Sequence, residues 1–443
     1  MKTYHVARRS DSEWVVIREK AVRASSVHPT RESAIATARK LAAKTAASVL
    51  CPDCQSGAEH EIAPSDTAAS PGHLATRRSA TVAERIGARV KRARLMRGFS
   101  LRELAEATSG ALSHTSIQKL EKGLSDIDTE LLGMISEALS VRPDYFLQKD
   151  RLRLQGVEYR KQNSKLGKKQ QTMVEEQAFE FFERYVEAER ILELELPDFE
   201  RVDITKATSG SLGSAIERAA ERLREQWQLG TNPIPNVHAM LEEHGVKVKC
   251  LEQRKGFDGF SAFAKTEDEK VLVPVIALAK TTDLPRFRFS ALHELGHLYL
   301  KLPTGLEHRD IERACHRFAA AFLIPADSFK KILGERRNKF ALQELIDLKA
   351  RWGISIAAAI HRAKDLEVIT ESLHKGYCIR NRKNGWHLPG KEPGKWNGGD
   401  EESNRLQNLV LRALSQGFIT PSKAAGLLDI SLPELADLSE PFA

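Results

Sequence analysis

Hydrophobic and polar positions along the chain change period several times, and each change marks an element. Near the start, TYHVA and EWVVI alternate apolar with polar residues, the period of a half-buried strand. A helical period takes over in ESAIATARKLAAK, entered at Thr30 as N-cap, so residues 1–50 read as a small ββα unit. Periodicity lapses in QSGAEHEIAPSDTAASPGHLATRRS, whose Ser, Ala, Pro and Gly content predicts a flexible linker over residues 51–80. From Thr81 to Leu147 the pattern is purely helical. VAERIGARVKRARLMRG, SLRELAEAT, SHTSIQKLEKG and TELLGMISEALSV are short amphipathic segments punctuated by Gly and Ser, and they predict an all-α domain over 81–150.

A basic stretch, Arg151 to Lys169, then leads into the long helix EEQAFEFFERYVEAERILELE, read as a connection over 151–209. A helix over 211–229 and three strands, VKVKC, GFSAFA and VLVPVIAL, precede a second apolar helix, FSALHELGHLYL. Strands first and helices after is an α+β order, and this domain is placed at 210–365. The remainder, 366–443, reads as helical, interrupted by GWHLPGKEPGKWNGGD, with Thr420 as N-cap, Pro421 at the first helical position and Ser431 as a further cap. The fold class is therefore α+β and multidomain.

Composition sharpens this picture at three points. The 443 residues leave room for two to four domains, since one core rarely grows past roughly 250 residues. No apolar run approaches the roughly 20 residues a membrane span needs, and MKTYHVARRSDSEW lacks the apolar core of a signal peptide. A cytoplasmic protein without a membrane partner is the expectation. Five cysteines, an odd number over such a length, argue against a disulfide framework. Cys51-Pro-Asp-Cys54 could supply two metal thiolates, but no second CxxC exists, and His60 and His73 stand at no finger spacing, so two free thiols is the plainer reading. The net charge of +8 matters through its distribution, because basic residues crowd Arg85 to Arg97 and Arg151 to Lys169.

The candidate chemistry lies in HELGH. His293 and His297 are four apart, so on a helix both imidazoles leave one face and can hold one ion, with Glu294 beside them within reach of a metal-activated water. The flanking Phe287, Phe289, Leu292, Leu295, Leu298 and Leu300 make the pair the main polar intrusion into an apolar segment, costly to bury without a partner. A catalytic zinc needs a third protein ligand and an open position. Pro303 stands where the extended metzincin motif would place a third histidine, which excludes that class. Glu307, His308, Glu312 and His316 are the candidates. Only the last two lie on a clear helix, IERACHRFAAAFLIP, and Glu312 is preferred because a rigid helix fixes a ligand more closely than the loop LPTGLEH.

RFRFSALHELGHLYL followed by IERACHRFAAAFLIPA resembles the ImmA/IrrE family of metallopeptidases, in which an HELGH helix is paired with a Glu-led helix ending in FA and then a Pro. The resemblance covers roughly residues 210–365, with FDGFSAF and VPVIAL also fitting. It implies His293, His297 and Glu312 as ligands of Zn2+ and Glu294 as general base. Cys315 and His316 replace the Ala-Asn usual there, so His316 is expected to touch a ligand, with a direct role on the ion or on the scissile carbonyl as the alternative.

The segment RIGARVKRARLMRG through SEALSV is similar to the Xre-type helix-turn-helix family, with Ile86-Gly87, Leu104-Ala105 and Glu121-Lys122-Gly123 as markers. Its recognition helix would be Ser113 to Lys122, presenting Ser113, His114, Thr115, Gln118 and Lys119 to double-stranded DNA, with Arg92, Arg94 and Arg97 on the phosphates. It departs from the family at Arg102, where a Gln is common, and Ala111-Leu112 lengthen the turn. The first fifty residues also resemble a domain of unknown function found alone in short bacterial proteins.

Taken together, these readings describe a zinc-dependent regulatory endopeptidase that binds DNA, with a repressor-type protein as the substrate class the resemblance implies. Dimerisation through the helix-turn-helix domain is a further expectation. The rival is a non-proteolytic, zinc-containing transcription regulator or antitoxin-like protein. Glu294 favours the enzyme, since a structural metal site needs ligands and no base.

Overall fold

The computed structural model describes residues 3–10, 13–18, 26–28, 30, 33–35, 37, 38, 41, 48–52, 59–62, 81–125, 127–148, 152–159, 166–195, 197, 199–266 and 272–440. The chain divides into two compact units, Met1–Ser79 and Ala80–Ala443.

In the first unit, β1 (Thr3–Ser10) and β2 (Glu13–Arg18) pair antiparallel where the alternating runs were read. Helical residues follow Thr30, whose hydroxyl accepts from the Ser33 amide at 3.2 Å, the N-cap contact expected of it. The ββα reading stops short, however. β3 (Ser26–His28), β4 (Ser48–Pro52) and β5 (Glu59–Ile62) complete a five-stranded sheet of order β3-β2-β1-β4-β5, with β4 parallel to β1. Cys51 pairs with His60 across the β4–β5 ladder, so part of the expected linker is sheet. Alternation in strands this short is too brief to stand out from a polar segment. The rest of that linker, 63–80, and Cys54 lie outside the described residues.

The second unit begins with the expected all-α domain: helices Val82–Met96, Leu101–Ala107, His114–Glu121 and Thr129–Leu139, then a 3-10 turn at Pro143–Leu147. Capping boxes at Thr81/Glu84 and Ser100/Glu103 open the first two helices. Gly87 explains how tightly the first and third helices pack, because a Cβ there would fall 2.1 Å from the Leu120 carbonyl oxygen.

The strands of this unit are β6 (Leu152–Tyr159), β7 (Val202–Asp203), β8 (Lys247–Leu251), β9 (Gly259–Thr266), β10 (Leu272–Ala279) and β11 (Leu300–Lys301). A four-stranded sheet runs β6-β9-β10-β8, with β10 parallel to β8 and antiparallel to β9. β6 corrects the sequence reading. The start of the basic segment is not a connector but the sheet's edge strand, antiparallel to β9, with a register irregularity between Gln155 and Glu158 that breaks its alternation.

The long helix, Lys168–Ile191, also does more than connect. One stretch buries Val174, Phe179 and Phe182 against the sheet, and Tyr185, Ala188 and Leu192 pack with Leu409, Val410 and Ala424 of the C-terminal helices. Glu189 at its end accepts from Lys247 Nζ (2.7 Å) and Arg405 NH1 (2.6 Å), joining helix, sheet and C-terminal region. Thr420 and Ser431 cap helices Pro421–Leu428 and Leu432–Leu438 as expected.

Candidate metal centre and nucleic-acid interface

The HELGH segment lies in helix Leu284–Tyr299, which Asp283 caps and Pro285 opens. One side of the helix packs on β9 and β10; the other meets helix His308–Leu323. Gly296 permits that second approach, since a Cβ there would stand 3.3 Å from Cα and Cβ of Cys315. The close crossing carries Glu312 to the histidine pair.

His293 Nε2 and His297 Nε2 are 3.1 Å apart, and the two oxygens of Glu312 lie 3.5 Å from the first and 3.2 Å from the second. Donors about 2.0–2.1 Å from a tetrahedral zinc would be separated by about 3.3 Å, so these spacings suit one ion. The donor set, two imidazoles and a carboxylate, is that of a catalytic zinc with an open position. His293 is fully buried, which makes the cluster difficult to maintain as a solvated surface feature. Burial alone would push the Glu312 carboxyl up; its hydrogen bonds and charge interactions with the two histidines override this and hold it well below the usual carboxylate range. Of the other candidates, Glu307 is the N-cap residue of the second helix and His308 its first residue, and neither belongs to the cluster.

Glu294 is also fully buried, and its Oε2 accepts a 2.8 Å hydrogen bond from Ser261 Oγ on β9. A Cβ on Gly259, the first residue of β9, would lie 3.5 Å from Glu294 Oε1, so the strand backbone approaches the carboxylate closely. Ser261 and Gly259 lie within FDGFSAF, and no local sequence signal marks them as neighbours of Glu294. His316 stands exposed on a cavity of about 990 Å³, with Nδ1 2.6 Å from the Glu312 carbonyl oxygen and its ring 4.4 Å from that of His293. It thus touches both a residue of the donor cluster and the cavity. Cys315 is fully buried behind the centre, and burial pushes its thiol up against the opposing influence of a hydrogen bond with His297.

In the all-α domain, Ser113 caps the third helix through the Ser116 amide. Ser113, His114, Thr115, Gln118 and Lys119 are all exposed, while Ile117 and Leu120 of the same helix are buried. The three arginines all make contacts within the protein. Arg92 is 8% exposed, ion-paired to Glu176 (3.1 Å) and Glu183 (3.1 Å) and set over the Phe179 ring at 3.9 Å. Arg94 pairs with Glu121, and Arg97 donates to the carbonyls of Leu139 and Ser140. Arg92 therefore fastens the domain to the long helix. Its acidic partners lie more than eighty residues away, beyond the reach of local pattern.

Residues 241–364 match the family described as the IrrE N-terminal-like domain of Peptidase_M78. Residues 90–146 match the HTH_3 helix-turn-helix family, and residues 4–60 match DUF2188, described as an uncharacterized protein conserved in bacteria. Comparison with curated proteins returns no match. The chain thus has the ImmA/IrrE-plus-helix-turn-helix architecture that its motifs resemble. Among the described residues, no helix is long and apolar enough to cross a membrane.

Proposed function

We propose that a chain joining an IrrE-type peptidase domain to an Xre-type helix-turn-helix domain is a zinc-dependent regulatory endopeptidase of the cytoplasm, which binds double-stranded DNA and cleaves or relieves a repressor-type protein. The observation that carries the reading is the pairing of two features around the HELGH helix: a donor cluster of His293 and His297 completed by Glu312 from the neighbouring helix, and an adjacent carboxylate, Glu294, held by Ser261. A structural metal site would require only the first. When bound, zinc would supply Lewis acidity, lowering the pKa of a water toward about 7 and polarising the substrate carbonyl. Glu294 takes the proton of the attacking water and delivers it to the leaving amine. The Ser261 hydroxyl keeps the carboxylate oriented for that transfer. His316, which lines the cavity, would meet the carbonyl side of a bound peptide. On the other domain, the exposed face from Ser113 to Lys119 is the surface offered to base edges and phosphates.

The test is metal content alongside cleavage. Purified chain should hold zinc through the histidine pair, and His297→Ala should lose that equivalent. Cleavage of the repressor-type protein encoded nearest to this chain should stop on chelation and return with zinc. Cleavage that survives both chelation and His297→Ala would overturn the proposal.

A further inference from the structure

A second group of ligand-type side chains stands apart from the HELGH centre. His361 lies on helix Ile356–Asp365, and His374 and Cys378 lie on the adjoining helix Glu371–Lys383. We propose that these three residues form a second metal site, thiolate-containing and selective for borderline-soft divalent ions of the zinc class, at the cavity that His316 lines.

The construction repeats that of the first centre: an i, i+4 pair from one helix face is completed by one residue from a neighbouring helix. His374 Nε2 is 3.0 Å from His361 Nδ1 and 3.5 Å from Cys378 Sγ. For tetrahedral zinc, with about 2.0–2.1 Å to nitrogen and about 2.3 Å to sulfur, the corresponding separations would be about 3.3 and 3.6 Å. Small side-chain adjustments therefore suffice. His374 is 8% exposed, and its Nδ1 has no hydrogen-bond partner, so the ring makes its polar contacts through Nε2 toward His361 and Cys378. Burial pushes the pKa of both imidazoles down, which favours the neutral form that can donate a lone pair. Binding releases the thiol proton of Cys378 and leaves sulfur as the soft donor.

The location gives the site an outlet. His361 and His374 line the 990 Å³ cavity that His316 also lines, and His361 is exposed. Three protein ligands leave a fourth position for water or a group entering the cleft. The inference is independent of whether the HELGH cluster performs peptidase chemistry.

Cobalt(II) loading of the chelated full-length chain distinguishes the centres, because thiolate ligation produces a near-ultraviolet sulfur-to-cobalt charge-transfer band and a His-His-Glu site does not. Wild type should take up about two equivalents with the band, and Cys378→Ser and His361→Ala should each fall to about one equivalent without it. His297→Ala should keep the band while losing the other equivalent. Thermal melting of Cys378→Ser, a substitution at a half-buried position, should remain close to wild type. A wild type without the band, or a band that persists in Cys378→Ser, overturns the proposal. If His297→Ala loads like wild type while Cys378→Ser loses the band, the second site stands and the metal assignment at HELGH falls.

Discussion

The Ser261 hydroxyl donates a 2.8 Å hydrogen bond to Oε2 of Glu294, tying β9 to the residue that follows the first histidine of HELGH. Both residues are at least 98% buried, so water cannot readily replace the donor. Ser261→Ala should lower kcat about tenfold, near 1.4 kcal/mol, with KM and zinc content retained. Steady-state kinetics with metal analysis checks this. An unchanged kcat would mean that the carboxylate is oriented by other contacts.

Gly296 governs a different distance. Alanine there would require the helix bearing Glu312 to yield by a few tenths of an ångström at Cys315, shifting the carboxylate relative to the histidines. Gly296→Ala should weaken zinc affinity about tenfold or more while leaving the fold intact, as read by competition with a chromophoric chelator and by circular dichroism.

Glu183 lies 2.8 Å from Arg89 and 3.1 Å from Arg92, and all three side chains are buried. Glu183→Ala leaves two guanidinium groups short of a partner and should cost about 3 kcal/mol, lowering the melting temperature even in the absence of DNA. For the same reason, Arg92→Ala is expected to act through stability and is a poor probe of DNA contact.

Gln118 is the better probe because it is exposed on the third helix and outside these ion pairs. Gln118→Ala should relax discrimination among DNA sequences by about 1–3 kcal/mol with no change in melting temperature. Binding of wild type should weaken steeply with salt as counterion release is lost. Fluorescence anisotropy on matched and scrambled duplexes measures both.

What could be read in the sequence was what depends on near neighbours. The four-residue spacing of His293 and His297, the Glu-led helix after them and the glycines of the helix-turn-helix each leave a local signature, and Glu312 could be selected because its helix was plain. Features made by distant partners were not legible. The ion pairs of Arg92 with Glu176 and Glu183 join residues more than eighty positions apart. β6 was hidden by the irregularity at Gln155–Glu158, and β5 by brevity within a polar stretch. The grouping of His361 with His374 and Cys378 depends on how two helices pack, which no periodicity reports.

The central claim is that Glu294 is a proton-transfer residue and not part of a structural metal site. Glu294→Gln nearly preserves shape and should preserve zinc, but it removes the proton acceptor, a loss typically worth about 100-fold to 10,000-fold in turnover, or roughly 3 to 5.5 kcal/mol of barrier. The direct measurement follows cleavage of the neighbouring repressor-type protein by wild type and Glu294→Gln at equal zinc content and equal melting temperature. The account predicts cleavage by wild type and a fall of at least about 100-fold in the variant. Equal cleavage by both, or relief of repression by both with the repressor left intact, would contradict it.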